Sequence, residues 1–437
     1  MKPGSKFVLV CSLFVISTFS VSVSAADMRP AQKSTVVKNE IILPRGPGEH
    51  MEVRHIILKG TNEEIGRAMG DIAQKDYGAH KLAQYADPSY AKARLEYMRR
   101  NNPILLEWMK GIARSYGVSL SGTLSDTSYL PSFFTVPQCS ALLVPAAYSA
   151  NGHTFYSSSR DYYVATFSEV MEKKPMPGEK KIFSEAAIVE LYPDKGHPSL
   201  FVAVGDLTCG ADIVNSEGLS VSAFEDDTYG ITRTPKDASR ASGLTMQQVV
   251  MLIANTCATL DEAKQVLLIN KVSMPPIPMH VQVADRTGRA FIYEISPDDF
   301  SSHFVDNNGK PQAITNHSVY DYPDLSKMPV NEKDPYDTFN RYRRLVKFID
   351  SHKDKFSIAD GWKAMDLVMG AVAEASEANH LKIPLRTFYQ VVLDNEERAI
   401  QVRFYIKDKS VDPVTGYAEL IFSKPFEFKL RPAAGRQ

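Results

Sequence analysis

The feature that most constrains this chain is a change of hydrophobic period at Cys139. Upstream, Val53 to Leu58 reads as a strand running into Lys59-Gly60-Thr61-Asn62-Glu63-Glu64. Thr61 and Glu64 form a capping box, and Ile65, Met69, Ile72 and Ala73 keep helical spacing. A second amphipathic helix carries Ile104, Leu105, Trp108, Met109 and Ile112 on one face and ends near Gly117, so the part before Cys139 is expected to be mainly helical. From Cys139 onward, Cys139 to Val144, Thr154 to Ser158, Ala186 to Tyr192, Leu200 to Val204 and Leu219 to Phe224 read as strands between Gly, Pro and Asp turns. Helices follow at Met246 to Asn255 and after the cap at Thr259, then a hairpin over Val281 to Ile295 turning at Asp285-Arg286-Thr287-Gly288. Further helices are expected near Asn340 to Asp350 and Asp360 to Met369, and a last hairpin over Phe388 to Leu393 and Ala399 to Ile406. Strands, then helices, then strands suit an α+β fold of antiparallel sheets faced by helices better than a parallel doubly wound one.

With 437 residues and 44% hydrophobic content the chain can bury a large core, in one large or two ordinary domains. A formal net charge of -1 gives no reason to expect a nucleic-acid partner or an anionic membrane surface. There is no Gly-rich phosphate loop, since Gly66 and Gly70 fall inside a helical pattern. Nor is there a His-Glu-x-x-His or paired-Cys signature, so neither cofactor nor metal is expected.

Lys2 and Lys6 precede the apolar run Phe7 to Ile16, and Val23-Ser24-Ala25 offers a small-residue cleavage site before Ala26. Residues 1–25 therefore read as a secretory leader too short to anchor the protein in a bilayer, and a secreted, periplasmic location is expected. Cys11 lies within this leader. The stretch from Ala26 to about Glu49, rich in Pro, Lys and polar residues, reads as disordered. Three cysteines remain after export, Cys139, Cys209 and Cys257. A Cys209–Cys257 bridge that leaves Cys139 free and three free thiols are both compatible with the sequence.

Cys139 stands in Thr135-Val136-Pro137-Gln138-Cys139-Ser140-Ala141-Leu142-Leu143-Val144, followed by Ser157-Ser158-Ser159-Arg160-Asp161-Tyr162-Tyr163. A small nucleophile opening an apolar strand, then a turn, a second strand and an acid, is the layout of an N-terminal nucleophile (Ntn) hydrolase before self-cleavage. If the Gln138–Cys139 bond breaks, thiol and α-amine sit on one residue. An α-amine with a pKa of about 7.7–8.0 can take the proton of a thiol near 8.5. The competing reading is a small buried core cysteine.

Several segments together resemble the self-processing penicillin (isopenicillin N) acyltransferase family, related to bile salt hydrolases and acid amidases. Leu58-Lys59-Gly60-Thr61-Asn62-Glu63-Glu64-Ile65-Gly66 looks like its opening strand and Glu-x-Gly helix, and Leu106-Glu107-Trp108-Met109-Lys110-Gly111-Ile112-Ala113 like its later pro-segment helix. Cys139-Ser140 corresponds to the nucleophile, and Ser159-Arg160-Asp161-Tyr162-Tyr163 to an Asn-Trp-Asp-aromatic-aromatic stretch. Asn215-Ser216-Glu217-Gly218-Leu219-Ser220-Val221 matches a shared turn-strand, Ile314-Thr315-Asn316-His317 its Thr-Asn-His, and Asp337-Thr338-Phe339-Asn340-Arg341 its Asp-Ser-Trp-x-Arg.

The resemblance implies an Ntn αββα sandwich in which residues 26–138 are a pro-segment, later the small chain, and 139–437 the catalytic large chain, the two held together after cleavage. It implies a secreted cysteine amidohydrolase cleaving a linear amide or peptide through a Cys139 thioester. Asn316 would donate to the oxyanion, and Asp161 would hold the α-amine or a neighbouring donor. Thr338 and Arg341 would support processing or bind substrate, or lie on a helix surface. The family's Asn-Trp is Ser159-Arg160 here, and Ser158 stands where bile salt hydrolases carry Arg. Arg160 would therefore meet an anionic substrate group or face solvent. Other activities on this scaffold are an acyltransferase, a dipeptidase or phospholipase B-like hydrolase, and an uncleaved binding protein.

Overall fold

A computed structural model describes residues 35–122, 124–130, 138–170, 178–229, 240, 242–272, 278–296, 298–332, 334, 336–372 and 384–431. One sheet of nine strands runs in the order β1 (Val36–Leu43), β2 (Glu52–Gly60), β5 (Glu185–Pro193), β6 (Ser199–Val204), β7 (Asp212–Asn215), β8 (Ser220–Glu225), β9 (Met279–Ala284), β10 (Ala290–Ile295) and β11 (Ser302–Asp306). The second runs β12 (Gln312–Ile314), β3 (Gln138–Val144), β4 (Phe155–Tyr163), β13 (Leu385–Asp394), β14 (Ala399–Val411) and β15 (Ala418–Phe422), with β16 (Phe426–Lys429) also on β14.

Side-chain alternation sets the layers. Along β3, Cys139, Ala141 and Leu143 point into a core shared with Ile188, Val202, Val214 and Ile292 of the nine-stranded sheet. The intervening Leu142 and Val144 point the other way, onto Leu345, Ala364 and Met365 of α6 (Thr338–Ser351) and α7 (Ile358–Asp366). The outer face of the nine-stranded sheet is covered by α1 (Asn62–Tyr77), α2 (Pro88–Asn101), α3 (Pro103–Ser115), α4 (Met246–Thr256) and α5 (Leu260–Ile269). The order of layers is α, β, β, α, as expected. No helix among the described residues is long and apolar enough to cross a membrane.

The segment before Cys139 is more than helical. Its strands β1 and β2 extend the nine-stranded sheet, and β2 runs parallel to β5 from Glu52↔Glu185 to Gly60↔Pro193. Two expectations are corrected here. The stretch read as disordered contains β1, ordered by antiparallel pairing with β2. The sheets are not wholly antiparallel, because the connection from β2 to β5 is no hairpin but passes through α1–α3 and then β3 and β4 of the other sheet, and β5 runs beside β2 in the same direction. The Thr61–Glu64 capping box is present, and Gly66 and Gly111 let α1 and α3 touch: a Cβ would lie 2.3 Å from Trp108 O at Gly66 and 2.0 Å from Glu63 O at Gly111. Trp108 Nε1 donates to Asn62 Oδ1, and Asn62 Nδ2 to Lys195 O, tying this segment to the chain beyond Cys139.

Candidate active site

Cys139 is the second residue of β3, a central strand, and is 1% exposed. Its register partner on β4 is Arg160, and both side chains enter the layer between the sheets. Arg160 donates through Nε (3.0 Å) and Nη2 (2.6 Å) to the Asp212 carboxylate on β7, and through Nη1 to Ala223 O. Asp212 also receives the hydroxyls of Tyr156, Ser158 and Tyr389, so it is a buried carboxylate held low by Arg160 and these donors against desolvation. The solvent-facing reading of Arg160 is thereby overturned: it is 1% exposed and its donors are committed within the protein. Burial pushes the Cys139 thiol up to about 12, with Arg160 opposing and Asp161 adding to the rise.

On strand β4 the side chain of Asp161 alternates to the opposite face, opposite Gln138 in the register. It is fully buried and accepts from Ser159 Oγ (3.0 Å), Thr387 Oγ1 and Tyr336 Oη. Burial raises its pKa, against those hydroxyls and nearby Arg341. Asp161 thus sits beside the Gln138–Cys139 junction; residues 131–137 lie outside the described residues, as does the leader.

Asn316 follows β12, where a continuing strand would meet Cys139. Its Oδ1 accepts the Cys139 main-chain N–H (2.7 Å) and Arg341 Nη2 (2.9 Å), and its Nδ2 donates to Glu225 O (2.8 Å). Two donors on one side and a carbonyl on the other fix the amide's orientation. Thr338, the first residue of α6, receives the Asn316 N–H at Oγ1 (2.8 Å). Arg341, one turn on, is 0% exposed and also donates to Cys139 O (2.6 Å), Ser140 Oγ (2.8 Å) and Tyr336 O (2.9 Å). The helix-surface alternative for Arg341 is overturned. The structure therefore brings Cys139, Asn316, Arg341 and Thr338 into one hydrogen-bonded unit, with Arg160 and Asp161 flanking it on opposite faces of the sheet.

Sequence reasoning missed Glu225, Asp227, Tyr336 and Asp212. Asp212, a lone acid leading into the apolar Ile213-Val214, was a legible signal, since a buried acid requires a partner. Glu225 ends β8; its Oε2 is buried without a hydrogen bond, and desolvation raises its pKa well above the carboxylate range. Among the described residues Cys139, Cys209 and Cys257 are free thiols, so of the two alternatives the one with three free thiols holds and the Cys209–Cys257 bridge does not.

Burial raises the Asp227 carboxyl to about 7, against the pull of Arg341. Its folded state keeps a proton that the unfolded chain gives up near 3.8, so this group's contribution to stability falls as pH climbs from 4 to 7. Asp227→Asn is expected to raise the Tm at pH 8 by roughly 1–3 °C and to leave it unchanged at pH 4 by differential scanning calorimetry.

No family model and no curated protein matches the sequence. Among solved structures, a mutant conjugated bile acid hydrolase from Clostridium perfringens superposes with a TM-score of 0.42 and 15% identity, over 65% of this chain and 96% of that one. A penicillin V acylase from Agrobacterium tumefaciens gives 0.41 and 14%, over 61% and 82%. A Caenorhabditis elegans N-acylethanolamine-hydrolyzing acid amidase ortholog gives 0.37 and 10%, over 59% and 93%.

Proposed function

We propose that this chain is an exported, self-cleaving cysteine amidohydrolase with Cys139 as its N-terminal nucleophile. The observation that carries the reading is the Asn316 Oδ1 to Cys139 N–H hydrogen bond. A core cysteine needs no buried side chain on its main-chain nitrogen, whereas a nucleophile whose own α-amine is the base needs that nitrogen aimed. The free thiols and the acid beside the Gln138–Cys139 junction support the same reading.

In maturation the Cys139 sulfur adds to the Gln138 carbonyl carbon, the peptide C–N bond breaks, and water hydrolyses the resulting thioester. Gln138 leaves as a carboxylate and Cys139 gains an amine. Asn316 Oδ1 holds one amine N–H, and the lone pair takes the thiol proton. In turnover the sulfur attacks a linear amide, the oxygen becomes an oxyanion, and the amine returns its proton to the departing nitrogen. Water, activated by the same amine, releases the acyl group from the thioester. Arg341, bonded to Cys139 O and Asn316 Oδ1, holds the unit in register; Thr338 holds the Asn316 main chain, and Asp161 faces the cleavage junction. Arg160 serves beside the thiol rather than on substrate. The nine registered β2–β5 pairs support a small chain that stays bound after cleavage. The leader supports export.

N-terminal sequencing of the purified protein is expected to find a chain starting at Cys139, and that material is expected to hydrolyse members of a panel of N-acyl amides and dipeptides. A single uncut chain with no turnover on the panel overturns the reading.

A further inference from the structure

The Thr315–Asn316 peptide is gripped at both ends. Its N–H donates to Thr338 Oγ1, and its carbonyl, Thr315 O, lies 2.9 Å from Nε2 of His280 on β9. Nδ1 of the same ring lies 3.1 Å from Glu294 Oε1 on β10. His280 is 0% exposed.

A carbonyl only accepts, so Nε2 must carry a proton. Glu294 already receives Val319 N–H at Oε1 (2.8 Å), and Ser318 Oγ (2.9 Å) and Tyr320 N–H (3.0 Å) at Oε2. Three donors on its oxygens hold Glu294 as a carboxylate, so Nδ1 must carry a proton too.

We propose that His280 is a positioning residue: a buried imidazolium that fixes the Thr315–Asn316 peptide and, through it, the Asn316 amide against Cys139. This rests on the role given to Asn316 above. The groups facing the ring are Glu294 from β10, Asp226 and Asp227 after β8, and His317 after β12, with the Phe224 ring edge-on at 5.8 Å. Glu294 first, then Asp226 and the Thr315 carbonyl, outweigh the desolvation that opposes charge: His280 stands above its ordinary 6.5, while Glu294 is held below 4.5 by His280 and the Val319 and Tyr320 N–H groups despite burial. The grip on Thr315 O is therefore complete below the ordinary imidazole value of 6.5 and fades as pH rises through the folded His280 value; at the acid end it weakens as pH falls through that of Glu294.

The first test is NMR of the full chain carrying Cys139→Ala and 15N-labelled histidine and asparagine. The His280 ring is expected to show two protonated nitrogens at pH 7, and the Asn316 side-chain amide to shift with the midpoint of the His280 titration. A pyridine-type ring nitrogen at pH 7, or an Asn316 amide indifferent to that titration, overturns the proposal. Both readouts hold whether or not the protein hydrolyses an amide, so failure of the functional reading is distinguishable. In the active protein His280→Gln is expected to lower kcat about 10–10²-fold, as misplacement of a reacting group does, with KM within about twofold. Glu294→Gln, which keeps the ring, is expected to move the alkaline limb of the kcat profile to lower pH by about one unit or more. Wild-type kcat in His280→Gln, or an unmoved limb in Glu294→Gln, overturns the positioning role.

Discussion

Cys139→Ala should give a folded chain that never cuts itself and hydrolyses no amide. The substitution removes a thiol from a 1% exposed site and leaves the Cys139 N–H to Asn316 bond intact, so stability should drop by only about 1 kcal/mol. Function loses both of its reagents. Without sulfur nothing attacks the Gln138 carbonyl, and without that attack no amine is released. Intact mass should show one uncut chain, where the wild type is expected to yield a large fragment running from Cys139 to Gln437. Brief iodoacetamide treatment followed by peptide mapping should label the mature wild type at Cys139. In the uncut chain burial raises Cys139 to about 12, Cys257 to about 11 and Cys209 well above its ordinary value; cleavage is expected to give Cys139 alone an adjacent amine base, and that base is what makes it the target. A Cys139→Ala chain that still appears as two fragments, or keeps measurable turnover, would sink the assignment.

Local chemistry was legible and partner choice was not. The Thr61–Glu64 cap, the face of α3 and the alternation along β3 follow from neighbours a few residues apart, and the structure repeats them. The Asp87-Pro88 start of α2 was equally local, yet α2 buries only Arg94 and Met98, so its apolar period is faint. The parallel β2–β5 pairing joins strands more than a hundred residues apart, and periodicity says nothing about which strand lies beside which. β1 reads Val36-Val37-Lys38-Asn39-Glu40-Ile41-Ile42-Leu43, with no period-2 alternation, and becomes a strand through β2, which is why composition read it as disordered. At the site, motif order placed Cys139, Asn316, Thr338 and Arg341 on one page. It did not say that Asn316 turns its oxygen, not its amide nitrogen, toward Cys139 N; that follows from Arg341 filling the other lobe of the same acceptor. Glu225 and Asp227 were missed because their chemistry comes from burial beside this unit rather than from spacing.

The second large effect is expected at Asn316. In the uncut chain its Oδ1 is saturated by Cys139 N–H and Arg341, and one of its two Nδ2 protons goes to Glu225 O. The remaining proton is the donor available to an oxyanion forming beside the sulfur. A neutral carbonyl oxygen gains little from such a donor, whereas the tetrahedral oxygen carries charge, so the bond strengthens along the reaction. Asn316→Ala should therefore lower kcat by about 10²–10³ with little change in KM. It should also slow maturation, since self-cleavage passes through a similar oxyanion and loses the group that aims the Cys139 nitrogen. Rates must be normalised to the fraction of chains that begin at Cys139. Stability should fall by about 1–3 kcal/mol, because Cys139 N–H, Arg341 Nη2 and Glu225 O lose a buried partner. Asn316→Asp separates the two jobs of the side chain: its carboxylate still accepts from Cys139 and Arg341 but has no proton for the oxyanion. It should mature faster than Asn316→Ala yet turn over no faster once mature. If fully matured Asn316→Ala keeps near wild-type kcat, the oxyanion donor lies elsewhere and Asn316 serves only to hold the Cys139 nitrogen.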